Sequence, residues 1–290
     1  MSALPPVSPH LDWQSEALWR QLLPLLPGLS VEVRASVGST NATLLERARG
    51  EPGDGLRHGR READHQPCLL VAERQTAGRG RQGKGWQSAP GASLTFSLAL
   101  PLAPAHGWSG LSLAVGCALA DALDPPAEAP PQLLLKWPND LWLRDDAAEG
   151  GGRKLGGVLI ETAPVQGGRV VVIGIGLNVH PAAATDGEQL ASGLGCVDEL
   201  DPVATPPAVL ACVALPLVQA LRAFEAHGFA PVASRFARRD LLAGRPLRTL
   251  GAVVLEGTGA GVDAQGLLQL RSADGQLHAV SSGEVSVRPC

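Results

Sequence analysis

The sequence predicts an α+β fold followed by a small β barrel, on the basis of three observations. Strand-like runs alternate with helical patterns through about the first 240 residues. From Gly244 onward the helical patterns stop, and short β-like runs are separated by glycines. With 290 residues the chain can build one large core and a small one. We therefore expect a main domain at 1–242, with an N-terminal helical extension at 1–30, and a barrel at 243–290.

The elements of the main domain follow from hydrophobic periodicity and from the residues that interrupt it. GSTN, at residues 38–41, can cap a helix that Gly50 ends. Two polar segments, 51–67 and 144–153, predict surface loops. The patterns predict strands at 31–37, 68–75, 93–100, 133–143, 154–163 and 168–179, and helices at 12–26, 109–123, 206–227 and 230–240.

Charge and hydropathy narrow the classes of function. The net charge of -4 and the pI of about 6.0 give no basic field that could hold a nucleic-acid backbone. We find no apolar run of the roughly 18 residues that a bilayer requires, and no secretory signal in MSALPPVSPHLDW. The five cysteines show no C-x-x-C spacing. We expect a cytoplasmic protein that binds neither nucleic acid nor membrane.

AGRGRQGKGW, at residues 77–86, fits two phosphate-binding patterns and satisfies neither. Its glycines spell G-x-G-x-x-G, but a dinucleotide site needs a helix immediately afterwards, and Gly85, Pro90 and Gly91 oppose one. It also spells G-x4-G-K, but Gly85 replaces the hydroxyl residue that ligates magnesium in a Walker A loop.

A flexible cationic loop remains as the interpretation of this segment. Arg79, Arg81 and Lys84 supply positive charge for a phosphate or a carboxylate. Trp86 offers a flat face on which an adenine can stack. The alternative is a solvated basic turn.

Lysine is rare in this chain, since the 24 Lys and Arg residues include only Lys84, Lys136 and Lys154. All three lie in glycine-rich or proline-containing motifs. A compact ammonium on a flexible stem differs from a guanidinium in what it can bind. This distribution favours a functional role for each lysine, although chance remains an alternative.

Four further motifs carry polar groups suited to a small ligand. KWPND offers an amide and a carboxylate, RKLGG a lysine beside glycines, GIGLNV an amide after a buried strand, and STN two hydroxyls and an amide. The alternatives are a turn aspartate for KWPND, a surface lysine for RKLGG and a plain helix cap for STN.

Together, in this order and spacing, GSTN, AERQTAGRGRQGKGW, LKWPNDLWL, KLGGVLIE and GIGLNV resemble the biotin protein ligases. The resemblance runs from about residue 31 to the C-terminus. It implies a mixed β-sheet domain of the class II aminoacyl-tRNA synthetase/biotin synthetase-like type with an SH3-like C-terminal barrel. Because only about 38 residues precede STN, the chain resembles the monofunctional type without an N-terminal DNA-binding domain.

The resemblance also implies a two-step reaction. Biotin and ATP with Mg2+ give biotinyl-5'-AMP and pyrophosphate, and a lysine of a biotin carboxyl carrier protein then takes the biotinyl group. A homodimer is possible, and no metal is held by the protein alone. A lipoate or octanoate ligase of the same fold and a noncatalytic biotin-binding regulator are the alternatives.

Site residues are carried over position by position. The catalytic set is Arg79, Arg81, Lys154 and Asp140, with Asp140 orienting or deprotonating the acceptor lysine. The biotin-binding set is Ser39, Thr40, Asn41, Gln75, Arg79, Gly80, Arg81, Lys154 and Gly157. The ATP-binding set is Arg81, Lys84, Trp86, Lys136, Asn139 and Asn178, and Glu284 and Arg288 of the barrel could contribute.

Overall fold

Seven strands form one mixed sheet in this computed structural model. The structure describes residues 11–50, 65–148, 150–182, 193–250 and 254–281, and the backbone of 286–289. The strands are β1 Ser30–Val37, β2 Cys68–Gln75, β3 Ser93–Pro101, β4 Leu133–Lys136, β5 Asp140–Arg144, β6 Gly152–Val165 and β7 Gly168–Asn178. Their order across the sheet is β1-β2-β3-β7-β6-β5-β4. β1 runs parallel to β2, and every other neighbouring pair is antiparallel.

Helices cover both faces of this sheet. The helices are α1 Ser15–Leu22, α2 Thr40–Arg49, α3 Leu111–Leu123, α4 Pro206–His227 and α5 Ala233–Ala237. On one face α1, α3 and α4 share a single large core with the sheet. On the other face α2 buries Leu44 and Leu45 against β2, β3, β6 and β7. The predicted α+β class and most predicted elements are confirmed.

Helix α4 is longer and more apolar than the sequence analysis allowed when it found no run able to span a bilayer. Its mean hydropathy of 1.7 and its 22 residues are enough to cross a membrane by length and composition alone. In this structure it is a core helix, since it packs against α3, α1 and β3 and buries Leu210, Leu217 and Leu221.

Three predicted elements have other bounds. Segment 133–143 is a hairpin of β4 and β5 rather than one strand, because Pro138 cannot donate to a sheet ladder. The predicted helix 12–26 ends at Leu22, shortly before Pro24. Segment 230–240 holds only a 3-10 turn and α5, because the backbone after α5 bonds on both sides of Leu135.

The predicted loop at 51–67 and Glu284 lie wholly or mainly outside the described residues. The predicted tip at 144–153 contains the connection between β5 and β6, but Arg144 belongs to β5, and Gly152 and Arg153 belong to β6. For Arg288 the structure describes only the backbone, which pairs with Arg248.

A second, antiparallel sheet of five strands forms the C-terminal part of the chain. Its strands are β8 Pro246–Leu250, β9 Glu256–Val262, β10 Leu268–Arg271, β11 Leu277–Val280 and β12 Ser286–Pro289, in the order β11-β10-β9-β8-β12. The turn before β10 touches the main domain, where the Trp137 indole N–H donates to the Gly266 carbonyl at 3.1 Å. The division at 242/243 stays a prediction.

Asp240 is a half-buried residue that follows the main sheet and precedes the C-terminal one. Its Oδ1 accepts a hydrogen bond from the Leu242 N–H at 2.9 Å, while its Oδ2 is buried without a hydrogen-bond partner. Burial raises the pKa of Asp240 to about 6. The ionised carboxylate therefore destabilises the fold near neutral pH.

Replacing Asp240 by Asn is expected to stabilise the protein at pH 7.5 relative to wild type, by on the order of 2 kcal/mol. A raised pKa in the folded state favours folding while the group is protonated, and this contribution is lost as the pH rises through about 6. The advantage of Asp240→Asn should therefore be much smaller at pH 4.5, and it should disappear only below the ordinary pKa of an aspartate. Urea unfolding at both pH values measures it, with the exposed Asp146→Asn as control. A gain of equal size at both pH values would contradict the account.

Candidate active site

The central strands β3, β7 and β6 present a face almost without large side chains. Across the sheet Ser97 pairs with Gly174, which pairs with Leu159. One step along, Thr95 pairs with Gly176 and Gly176 with Gly157. Since partners in neighbouring strands point to the same face, these residues form the floor of a groove.

Two of the floor glycines are in close contact with side chains above them. A Cβ at Gly174 would overlap the amide of Asn41, and a Cβ at Gly176 would overlap the indole of Trp86. Asn41 and Trp86 can therefore lie directly on the backbone of β7 only because these positions are glycine.

One end of the groove is a buried polar pocket at the start of α2. Ser39 caps the helix, accepting from the Ala42 N–H at 3.4 Å, and Thr40 donates its backbone N–H to Gln75 Oε1 at 2.7 Å. The three predicted residues Ser39, Thr40 and Asn41 are all buried here. The structure thus brings the STN motif and Gln75 together, as predicted.

Two residues of this pocket were missed by the sequence analysis. The hydroxyl of Ser97 lies 2.6 Å from both Thr40 Oγ1 and Asn41 Oδ1, and Glu161 Oε2 accepts from Asn41 Nδ2 at 2.9 Å. The alternation of hydroxyl and apolar residues in SLTFSLAL could have indicated Ser97. No local pattern singles out Glu161.

Lys154 and Asp140 form an ion pair at the next part of the floor. Lys154 Nζ lies 2.9 Å from Asp140 Oδ1, and each side chain is about a quarter exposed (26% and 24%). A Cβ at Gly157 would stand 3.1 Å from the same Asp140 oxygen. The antiparallel pairing of β5 with β6 brings together these two predicted catalytic residues, with Gly157 beside them.

Arg81 reaches this ion pair from the glycine-rich loop. Its Nη1 donates to Asn139 Oδ1 at 3.3 Å, and Asn139 in turn donates from Nδ2 to the Val158 carbonyl at 2.8 Å. Burial lowers the pKa of Arg81, and the negative charge of Asp140 partly offsets that effect. Arg81 therefore carries a partly desolvated positive charge beside Asp140.

The rest of the loop folds as a tight turn. Trp86 donates its backbone N–H to the Gly78 carbonyl at 2.9 Å, and Gly80 donates to the Lys84 carbonyl at 2.7 Å. Residues 84–92, which the structure describes throughout, run without a helix into β3, as predicted. Arg79 and Lys84 are exposed, so their charges face solvent.

The predicted nucleotide residues occupy different surroundings. Asn178 Nδ2 donates to the Lys154 and Gly195 carbonyls at 3.4 and 3.3 Å. Trp86 Nε1 is buried without a hydrogen-bond partner. Lys136 Nζ lies 4.4 Å from the centre of the Trp142 ring, a cation–π contact. The Trp142 ring thus holds the Lys136 ammonium. Lys136 also pairs with Asp140 across the hairpin, so the two side chains are on the same face.

A cavity of about 500 Å³ adjoins Arg81 and Asn139. It is lined by Arg81, Trp108, Ser109, Gly110, Leu111, Ser112, Asn139, Ile160, Thr162 and Arg169. Across the described ranges, no group of three or more His, Cys, Asp or Glu side chains is placed to hold a metal ion.

Two family models match the chain. The Biotin/lipoate A/B protein ligase family matches residues 57–178, and the Biotin protein ligase C terminal domain matches residues 247–288. The first range contains every groove residue described above except the STN motif, and the second lies within the C-terminal sheet.

Similar proteins are named as biotin ligases or as bifunctional ligase/repressors. A biotin–[acetyl-CoA-carboxylase] ligase of Mycobacterium tuberculosis is 34% identical over 92% of this chain and 89% of its own length. A bifunctional ligase/repressor of Escherichia coli is 34% identical over 93% of this chain and 77% of its own length. A biotin protein ligase from Aquifex aeolicus, solved with biotin and ATP, superimposes with a TM-score of 0.69 at 26% identity, covering 90% of this chain and 99% of that one. The chain therefore belongs to the biotin protein ligase family.

Proposed function

We propose that this protein activates biotin with ATP to biotinyl-5'-AMP and transfers the biotinyl group to a lysine of a biotin carboxyl carrier protein. The observation that carries the proposal is the order of groups along the groove. A buried pocket of hydroxyl and amide groups lies over Gly174, and the Lys154–Asp140 pair lies beyond Gly176. Biotinyl-5'-AMP matches this arrangement, because it carries a neutral polar ring at one end and an anhydride of carboxylate and phosphate further along.

The first step needs positive charge at the transferring phosphorus. A carboxylate oxygen of biotin attacks the α-phosphorus of ATP, the bond to the β-phosphate oxygen breaks, and pyrophosphate leaves with the electron pair. Lys154 and Arg81 are the partly desolvated cations that the groove places near Asp140. Charges fixed in advance in such a site stabilise the transition state strongly.

The second step needs a neutral amine at the acyl carbon. The acceptor lysine attacks the carbonyl carbon of the adenylate, the bond to the phosphate oxygen breaks, and AMP leaves. We assign to Asp140 the orientation of that lysine and the acceptance of its proton. The ion pair with Lys154 holds the carboxylate in place for this role.

The glycine-rich loop protects the adenylate from water in this proposal. Its residues Arg79, Gly80 and Arg81 cover the activated carboxylate, while Trp86, Asn139 and Asn178 contact the nucleotide. Lys84 and Lys136 add positive charge on the phosphate side. Closing a site over a reactive anhydride prevents hydrolysis.

The remaining assignments of the proposal concern partners. Mg2+ bound with ATP would neutralise phosphate charge, and the carboxylate of Asp140 would share in holding it. The carrier protein presents its lysine at the open side of the groove near Arg81 and Asn139. We further propose a cytoplasmic location and leave a homodimer as a possibility, with no nucleic-acid or membrane partner.

The family model that matches residues 57–178 covers lipoate ligases as well as biotin ligases. The buried hydroxyl and amide groups around Thr40, Asn41 and Ser97 disfavour lipoate and octanoate here. An apolar dithiolane or alkyl chain would offer no donor to the oxygens of this pocket that can accept a further hydrogen bond, and acceptors left unsatisfied by a ligand disfavour that ligand.

Exchange of labelled pyrophosphate into ATP, with biotin, lipoate, octanoate or no acid, tests the proposal. We expect exchange that depends on biotin, because the polar pocket pairs with a polar ring. Exchange with lipoate or octanoate alone would show that biotin is not the substrate, although the protein would still adenylate a carboxylate. No exchange with any acid would support the noncatalytic biotin-binding regulator.

Replacing Lys154 by Met should lower biotin-dependent exchange by about 100-fold or more while changing the biotin dissociation constant much less. The ammonium acts on charge that develops in the transition state, so its loss affects the rate more than ground-state binding. Arg20→Met, which removes an exposed cation on α1, is the matched control. Equal losses in rate and in biotin affinity would assign Lys154 to binding alone.

A further inference from the structure

We propose that Glu161 is a positioning residue that acts through Asn41 and Ser97 to fix the Thr40 hydroxyl as a hydrogen-bond acceptor for a ring N–H of the ligand. The inference rests on the proposed function and adds to it a physical basis for specificity. It concerns two residues, Ser97 and Glu161, that lie in the buried pocket at the start of α2.

The orientation of the Asn41 amide is the first step. Asn41 Nδ2 lies 3.2 Å from the Leu159 carbonyl and 2.9 Å from Glu161 Oε2, and both of these are acceptors. A rotated amide would place Oδ1 against a carbonyl and a carboxylate. The NH2 group therefore faces Glu161, and Oδ1 faces Ser97.

The number of hydrogens determines the directions of the remaining bonds. The Ser97 hydroxyl contacts Asn41 Oδ1 and Thr40 Oγ1, each at 2.6 Å. Asn41 Oδ1 carries no hydrogen, so Ser97 must donate its single hydrogen there. The contact between Ser97 and Thr40 then has to use the hydrogen of Thr40.

One contact in the pocket is left without a hydrogen. Thr40 Oγ1 also lies 3.1 Å from Gln75 Oε1, but its hydrogen is already committed to Ser97. Two oxygens thus face each other with lone pairs, although Gln75 Oε1 accepts from the Thr40 N–H. A donor supplied by a ligand completes this part of the pocket.

The negative charge at the far end strengthens this preference. Hydrogen bonds in a chain polarise one another, and here every donor points toward Glu161. The Thr40 oxygen at the other end is thereby made a better acceptor. A cyclic ring that carries N–H groups, such as a ureido ring, fits this end, whereas a ring without a donor does not.

A comparison of two ligands isolates this effect. We would measure by calorimetry, without ATP, the binding of biotin and of an analogue in which ring oxygens replace the ring N–H groups. In wild type we expect biotin to bind about tenfold or more tightly than the analogue. In Glu161→Leu only the longer contact, to the Leu159 carbonyl at 3.2 Å, still orients the Asn41 amide. The amide and the hydroxyls can then reverse, so Thr40 can donate to the ring oxygen, and the ratio should fall to about threefold or less.

Two further variants complete the test. Ser97→Ala separates Asn41 from Thr40 and should lower the ratio in the same way, which keeps the proposal testable if Glu161→Leu folds poorly. Glu161→Gln retains an acceptor for Asn41 and should preserve most of the discrimination. Glu46→Leu, which removes a carboxylate from α2 outside this chain of bonds, should behave as wild type.

The outcomes separate this inference from the function on which it rests. If wild type prefers biotin and both Glu161→Leu and Ser97→Ala keep that preference while weakening both ligands equally, Glu161 is only structural and the inference is wrong. If wild type binds no biotin, the proposed function itself fails.

Discussion

The bare face of strands β3, β7 and β6 is the constraint on which the site depends. Gly174 and Gly176 place no side chain of their own over the backbone of β7, so Asn41 and Trp86 can lie directly on it, where a Cβ would otherwise stand. A Cβ at Gly157 would stand 3.1 Å from Asp140 Oδ1, so this glycine leaves room for the Asp140 carboxylate. Because a sheet presents every second residue on one face, the three glycines and the two hydroxyl residues Thr95 and Ser97 on adjacent strands are enough to form a groove there.

The polar ends of the groove are held by elements of different origin. Helix α2 supplies Thr40 and Asn41 from its first turn, and the β4–β5 hairpin supplies Asn139 from its turn and Asp140 from the start of β5. The C-terminal sheet supports that hairpin turn through the bond from Trp137 to Gly266. A change at the contact between Trp137 and Gly266 would therefore reach the Asp140 carboxylate through only two intervening positions of the chain.

Local signals predicted most of the fold. The STN cap, the Gly50 stop of α2 and the apolar periodicity of β2, β3 and α4 depend on neighbouring residues, so the sequence indicates them correctly. The hairpin at 133–143 was missed because a single proline changed a continuous apolar pattern into two strands.

Local motifs indicated most residues that line the groove, but not Ser97 and Glu161, and not the contacts among the residues. The bond between Lys154 and Asp140 depends on the register of β5 against β6, and that of Glu161 with Asn41 joins residues 120 positions apart. Such contacts follow from strand order, which no local pattern specifies. The central claim, that the ligand lies on the glycine floor, is tested most directly by the biotin affinity of Gly174→Ala, with Gly38→Ala as control because a Cβ there meets nothing within 4 Å. The account predicts that Gly174→Ala displaces Asn41 and weakens biotin binding about tenfold or more while Gly38→Ala binds as wild type; unchanged binding by Gly174→Ala would contradict it.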